Sequence, residues 1–280
     1  MASISSTSPA RTVAVPRVVV RHSGLVRVCH WVNALCFFML LMSGLQIFNA
    51  RPGLSWGQAT QFKNPFFSFS ARQNDDGSLT GVTTLFGRSF DTTGVFGASP
   101  GPDGEMEERG FPAWATLPAE QDLAMGRRWH FFFAWLLVLN GLVYVGNLLI
   151  GRHLRDLLPT RSDLKAIPRT VLDHARLRFP RGDAALRYNV LQKLAYLSVV
   201  IAFAVLVLAG LTMSPAIDSA FPWLVPLFHG RQSARTVHFV MASYLVAFVA
   251  VHIVMVLLSG VFNNMRSMIT GRYRIPEEAR

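Results

Sequence analysis

The run Thr236 to Met265, TVHFVMASYLVAFVAVHIVMVLLSGVFNNM, holds no Asp, Glu, Lys or Arg and carries two histidines, His238 and His252. A helix needs about 20 apolar residues to cross the hydrocarbon of a bilayer, so this run crosses with residues to spare. At 3.6 residues per turn the fourteen steps between the histidines fall about 40 degrees short of four turns, which puts both imidazoles on nearly one face about 21 Å apart. One helix can therefore address two groups at different depths.

Three more uncharged runs share this character: Val28 to Ala50, Trp129 to Gly151 and Leu194 to Ile217. The chain is 51% hydrophobic and 15% charged. A soluble core would spread its apolar residues at amphipathic spacing, whereas here they are bunched. Only helices or closed barrels satisfy the backbone in lipid, and nothing alternates over barrel-length strands. The expected fold is an all-α membrane protein, a four-helix transmembrane bundle with spans at about 28–50, 129–151, 194–217 and 236–260. A long outer loop, 51–128, joins helices one and two, and an inner segment, 152–189, joins two and three. Residues 25–274 form the membrane domain, flanked by a disordered cytoplasmic tail at 1–24 and a short cytoplasmic tail at 275–280.

Charge placement orients the bundle, because Lys and Arg accumulate on the cytoplasmic side. Residues 1–27 carry Arg11, Arg17, Arg21 and Arg27 and no acid, and 152–189 carries eight Arg and one Lys. The longer loop 51–128 has seven basic residues beside nine acids. Both termini are expected in the cytoplasm of a bacterium, with the loop outside its inner membrane. The net charge of +11 then faces anionic lipid and calls for no nucleic acid. The first apolar run is too long for a signal-peptide core and lacks a cleavage site after it, so it is expected to stay as a span. Cys29 and Cys36 form no haem-attachment motif. The loop's aromatic clusters, Phe66-Phe67 with Phe69 and Phe111 with Trp114, suggest a folded cap or a docking surface, and Val171 to Phe179 suggests a stretch lying on the membrane surface.

The histidines carry the functional reading. If the helices alternate in direction, His130 and His238 lie near the outer face, and His30 and His252 near the inner one. Electron-transfer haem takes two axial ligands, commonly imidazoles, and such pairs are built from facing helices of a bundle. Two b-type haems follow, with His30, His252, His130 and His238 as iron ligands. Gly44, fourteen residues after His30, and Gly141, eleven after His130, fall on the histidine faces at the depth of the other haem, where a flat macrocycle wants a missing side chain. Glycine also eases ordinary contact between membrane helices. Arg27, Arg127 and Arg128 stand where guanidinium groups could pair with haem propionates, or simply anchor helix ends. His22, His153, His174 and His229 fall in loops or tails and are expected to be solvated. No hydrolytic triad, phosphate-binding loop or zinc cluster occurs, so the chemistry belongs to the cofactor.

The segments Arg27-Val28-Cys29-His30-Trp31, Ser43-Gly44-Leu45-Gln46-Ile47-Phe48-Asn49-Ala50, Gly126-Arg127-Arg128-Trp129-His130-Phe131, Ala234-Arg235-Thr236-Val237-His238-Phe239 and Asn264-Met265-Arg266-Ser267-Met268-Ile269-Thr270-Gly271 resemble the bacterial di-haem cytochrome b family. That family supplies membrane subunits of nickel-iron hydrogenases, formate dehydrogenases and thiosulfate reductases, and the resemblance is greatest to the thiosulfate-reductase-type branch. It covers about residues 20–274. It implies a bundle that passes electrons between a quinone pool and a periplasmic catalytic subunit, of molybdopterin type in this branch and a hydrogenase or dehydrogenase in others. The family's quinone site maps onto Asn189-Val190-Leu191-Gln192-Lys193, with Asn189 and Lys193 keeping its polar character and Leu191 replacing a glycine. Without the resemblance, Asn189 and Lys193 read sooner as a polar cap and a snorkelling lysine than as quinone contacts. Two competing functions stay open: a self-sufficient quinone-linked oxidoreductase, of superoxide oxidase or metal reductase type, and a structural anchor without cofactor.

Overall fold

The computed structural model describes residues 17–59, 65–151, 157–178 and 188–275. Four helices are long and apolar enough to cross a membrane: Gly24–Asn49, Leu123–Ile150, Val190–Thr212 and Arg231–Leu258. No more than 17% of each apolar stretch is buried inside the protein, so most of its hydrophobic surface faces outward, as lipid contact requires. The chain is a multi-pass membrane protein.

Each span begins where its orphan backbone N–H groups find acceptors. The side chains of Ser23, Asp122 and Asn189 accept from Val26, Met125 and Gln192, and Gln192 answers Asn189 in a reciprocal box. The fourth span has no such side chain at Gly230. There the carbonyl of Gly57 accepts from the N–H groups of Gln232 and Ser233, at 3.0 and 3.3 Å. The third span stops at Thr212, short of the expected residue 217, because Pro215 opens a separate short helix, Pro215–Ala220, and holds Ser214 extended.

The first span packs on the second, and the third on the fourth. Cys36, Phe133 and Leu137 form a small core, joined by Phe203 from the third span. A buried polar link fixes depth between the first two spans: the Asn140 amide donates to the carbonyl of Cys29 at 2.9 Å and to Asn33 Oδ1 at 2.7 Å. Cys29 and Cys36 are buried free thiols.

The loop after the first span is a β-structured cap. Strands β1 (Gly53–Leu54), β2 (Phe67–Gln73), β3 (Leu79–Leu85) and β4 (Arg88–Asp91) form one antiparallel sheet, and β5 (Gly97–Pro100) pairs with β6 (Met106–Arg109). Buried Phe48, Leu54 and Phe69 gather Phe66, Phe67, Phe96, Phe111 and Phe239 around them, so the cap's core rests on the first and fourth spans. At the opposite end, Thr160 caps a helical segment, Arg161–Lys165 then Ile167–Ala175, whose Leu164, Val171 and Leu172 stay exposed. A helix at Val261–Thr270 exposes Phe262, Met265 and Ile269 along one face, in the manner of an interfacial helix.

The expected disordered tail gives way before residue 24. Val18–Val20 forms a strand paired with Arg272–Arg274, and the Arg21 guanidinium lies over the Tyr273 ring, so the two chain ends are stitched together by backbone bonds that no side-chain pattern announces. Residues 1–16 and 276–280, with the tails expected there, lie outside the described residues, as do His153 and Phe179.

Candidate functional site

The bundle brings the four span histidines together as two pairs. His30 and His252 have ring centroids 6.3 Å apart, and His130 and His238 have theirs 6.2 Å apart. Nitrogen ligands on opposite sides of one metal, each about 2 Å from it, put imidazole centroids about 6 Å apart. Both separations therefore fit an axially ligated metal between the rings. Among the described residues no group of three or more His, Cys, Asp and Glu side chains converges as a bare ion would want. Two imidazoles alone suit a metal that brings its equatorial ligands with it, as haem iron does.

At the loop end the rings are fixed by their other nitrogens. His238 Nδ1 donates to the carbonyl of Leu206 at 2.8 Å. His130 Nδ1 lies 3.1 Å from the buried hydroxyl of Ser43, whose own proton goes to the carbonyl of Met39 at 2.6 Å, so the hydroxyl accepts from the ring. Both Nε2 atoms keep their lone pairs free for a metal. At the other pair the contacts are aromatic: His252 stacks on Phe248 and His30 meets Trp31 edge-on.

Glycines make room beside the loop-end pair. A Cβ on Gly44 would stand 3.3 Å from His130 Cε1, and one on Gly210 would stand 3.3 Å from His238 Cε1. Gly44 thus sits at the depth expected of it. Gly210, with the Ser43 hydroxyl and the Leu206 carbonyl, is absent from the sequence reading. At Gly141 a Cβ would meet nothing within 4 Å.

The arginines divide. Arg27 donates to the carbonyl of Ile269, and the neighbouring Trp31 Nε1 donates to Met268, at 3.2 Å, tying the first span to the C-terminal surface helix. Arg127 lies 5.6 Å over the ring of Phe131, and Arg128 is exposed. Arg235, three residues before His238, is a cation that sequence reasoning passed over: its guanidinium donates to the carbonyl of Arg51 and lies 5.2 Å over Phe48.

Asn189 caps the third span and lies 3.4 Å from His174 Nε2, while Lys193 pairs with Asp163 at 2.9 Å. The Asp163 carboxyl is held down to about 2 by the Thr160 backbone N–H first and the Lys193 ammonium second. Two histidines expected in solvent are engaged instead. His174 bonds the Thr170 carbonyl through Nδ1, and His22 is pushed down to about 4 by burial first and by Arg21 second.

Residues 21–271 match the family model for prokaryotic cytochrome b561. YedZ1 of Azospira oryzae, assigned provisionally as a subunit of a protein-methionine-sulfoxide reductase, is 31% identical over 238 residues, covering 85% of this chain and 90% of that protein. With four spans, paired imidazoles and a family match across nearly its whole length, this chain belongs to the prokaryotic cytochrome b561 family of b-haem membrane electron-transfer proteins.

Proposed function

We propose that the chain is the membrane subunit of a two-component oxidoreductase. It holds two b-type haems, one on His30 and His252 and one on His130 and His238, and passes electrons between a quinone pool and a catalytic partner docked at the cap. The observation that carries this reading is the pair of near-equal imidazole separations, 6.3 and 6.2 Å, set at two depths on one fourth helix. Haem supplies reversible one-electron chemistry when bound. The protein's part is to fix the rings: the Ser43 hydroxyl and the Leu206 carbonyl hold two of them in the tautomer that leaves Nε2 to the metal.

The excess of Arg and Lys at the terminal end supports a cytoplasmic placement of that end, with the cap outside a bacterial inner membrane. The partner is then a periplasmic enzyme. The branch resemblance favours a molybdopterin oxidoreductase, and the description of YedZ1 favours oxidised methionine in proteins as its substrate class, with electrons drawn from quinol. Asn189 and Lys193 are candidate quinone contacts by resemblance, and both already have partners.

The test uses the haem-loaded chain in lipid nanodiscs. Decylubiquinol should reduce its b-type absorption, and a partner with substrate should reoxidise it. If quinol leaves the haem ferric while superoxide reduces it, the self-sufficient oxidoreductase replaces this reading.

A further inference from the structure

The two ends of the chain meet where the bundle leaves the hydrocarbon. The fourth span stops at Leu258, and Gly260, with φ 107, turns the backbone at once into the surface helix Val261–Thr270. Gly271, with φ 80, ends that helix and sends the chain into the strand Arg272–Arg274. Its partner strand, Val18–Val20, ends four residues before the first span opens at Gly24. Residues 17–31 and 259–275 hold six arginines and no Asp or Glu.

The two strands are only three residues long, and a sheet that small stands only on what it packs against. Its register pairs Val18 with Arg274 and Val20 with Arg272, which puts those four side chains on one face and Val19 with Tyr273 on the other. Tyr273 is buried and covered by the Arg21 guanidinium, 4.6 Å from the ring centroid. The Asn263 side chain of the surface helix donates to the Arg274 carbonyl at 2.7 Å and accepts from the Arg274 N–H at 2.9 Å, so helix and hairpin form one unit. What the unit leaves exposed is apolar and basic together. Val20 is 79% and Phe262 90% exposed, beside exposed Met265 and Ile269, and Arg266, Arg272 and Arg274 are exposed with them. Among the described residues no carboxylate pairs with any of these three arginines.

We propose that this unit binds an anionic phospholipid of the surrounding membrane, its phosphate taken by the Arg272 and Arg274 guanidinium groups and its acyl region by Phe262, Met265 and Ile269. Alternate residues of one strand stand about 7 Å apart, which lets two long cationic side chains reach one phosphate. Lipid continues the surface that the spans already present, since Val28 and Leu257 are exposed just inside the same two span ends. An apolar face beside unpaired cations at that level is the composition that anionic lipid binds. The unit is also tied to the first span, by Arg27 to the Ile269 carbonyl and by Trp31 Nε1 to the Met268 carbonyl, and Trp31 meets His30 edge-on. Lipid bound there braces the His30 end of the bundle.

The test titrates the full chain in detergent with phosphatidylglycerol, and separately with phosphatidylcholine of the same acyl chains, and counts bound lipid by native mass spectrometry. It compares the native protein with Arg272→Gln plus Arg274→Gln, with Arg272→Lys plus Arg274→Lys, and with Phe262→Ser. Loss of two cations beside an anionic lipid should weaken phosphatidylglycerol binding roughly 30-fold in the glutamine pair and leave phosphatidylcholine binding as it is. The lysine pair should keep most of the preference, and Phe262→Ser, which leaves both arginines and the hairpin in place, should weaken binding of both lipids. Equal affinity of the native chain for the two lipids, or an unchanged preference in the glutamine pair, overturns the site. Unchanged binding in Phe262→Ser overturns the acyl seat. Displacement of the lipid by excess inorganic phosphate overturns the lipid assignment in favour of a free anion. A native spectrum of two chains that falls to one in Phe262→Ser overturns it in favour of a second copy of this chain.

Discussion

At the scale of single residues, what stands beside the histidines matters as much as the histidines. Gly44 and Gly210 each leave a gap of one side chain against an imidazole, and a leucine in either place would occupy the volume that the ring now fills. Gly210→Leu is expected to remove the haem of His130 and His238 and spare that of His30 and His252, halving the haem-to-protein ratio. Ser43→Ala takes away the hydroxyl that accepts from His130 Nδ1; retention of that haem should weaken by roughly tenfold, the lower end for loss of a partner behind a metal ligand, read as faster transfer to apomyoglobin. The pairing of the four histidines was legible in sequence because histidines in apolar runs are costly and their spacing fixes both face and depth. Gly44 was legible from the same ruler. Gly210 was not, because the third span has no histidine from which to measure, and the Leu206 carbonyl belongs to the backbone and leaves no trace in residue type.

At the scale of elements, the spans announced themselves by length and lack of charge, while their ends were set by groups that composition does not show. The third span starts at Asn189 because a reciprocal cap closes there. Asn189→Ala should cost about 1 kcal/mol of stability, measured by thermal unfolding in detergent. Just outside that span, Asp163 ties the surface helix to Lys193. Its carboxyl is depressed to about 2, so its contribution is fully present above the unfolded value near pH 4 and is lost as pH falls towards 2. Asp163→Asn should therefore lower the melting temperature at pH 7, and the difference from the native chain should shrink towards nothing by pH 2. The fourth span's start was the least legible, since its acceptor is a glycine carbonyl from a loop more than 170 residues earlier in the chain.

At the scale of the whole molecule, the cap and the bundle share a wall of phenylalanines, in which Phe48 from the first span and Phe239 beside His238 meet at 4.9 Å. The sequence marked the loop's aromatic clusters as a sign of packing, but its strands are two to seven residues long, and the four-stranded sheet meets the separate two-stranded hairpin at Gly81 and Gly97, where backbones touch. A Cβ on Gly81 would stand 2.2 Å from the Phe96 carbonyl oxygen, a contact no substitution can relieve without moving the sheet. Gly81→Val should open the cap to limited proteolysis within 51–128. The central claim is that four imidazoles hold two haems as the pairs His30 with His252 and His130 with His238. Its most direct measurement is haem per chain, by pyridine haemochrome, in the native protein and in each of the four His→Ala variants, with the spectrum of the remaining haem recorded. Two haems in the native chain, and one identical surviving spectrum within each pair but a different one between pairs, is the predicted result. A single haem in the native chain, or His30→Ala and His252→Ala leaving different haems behind, would contradict it.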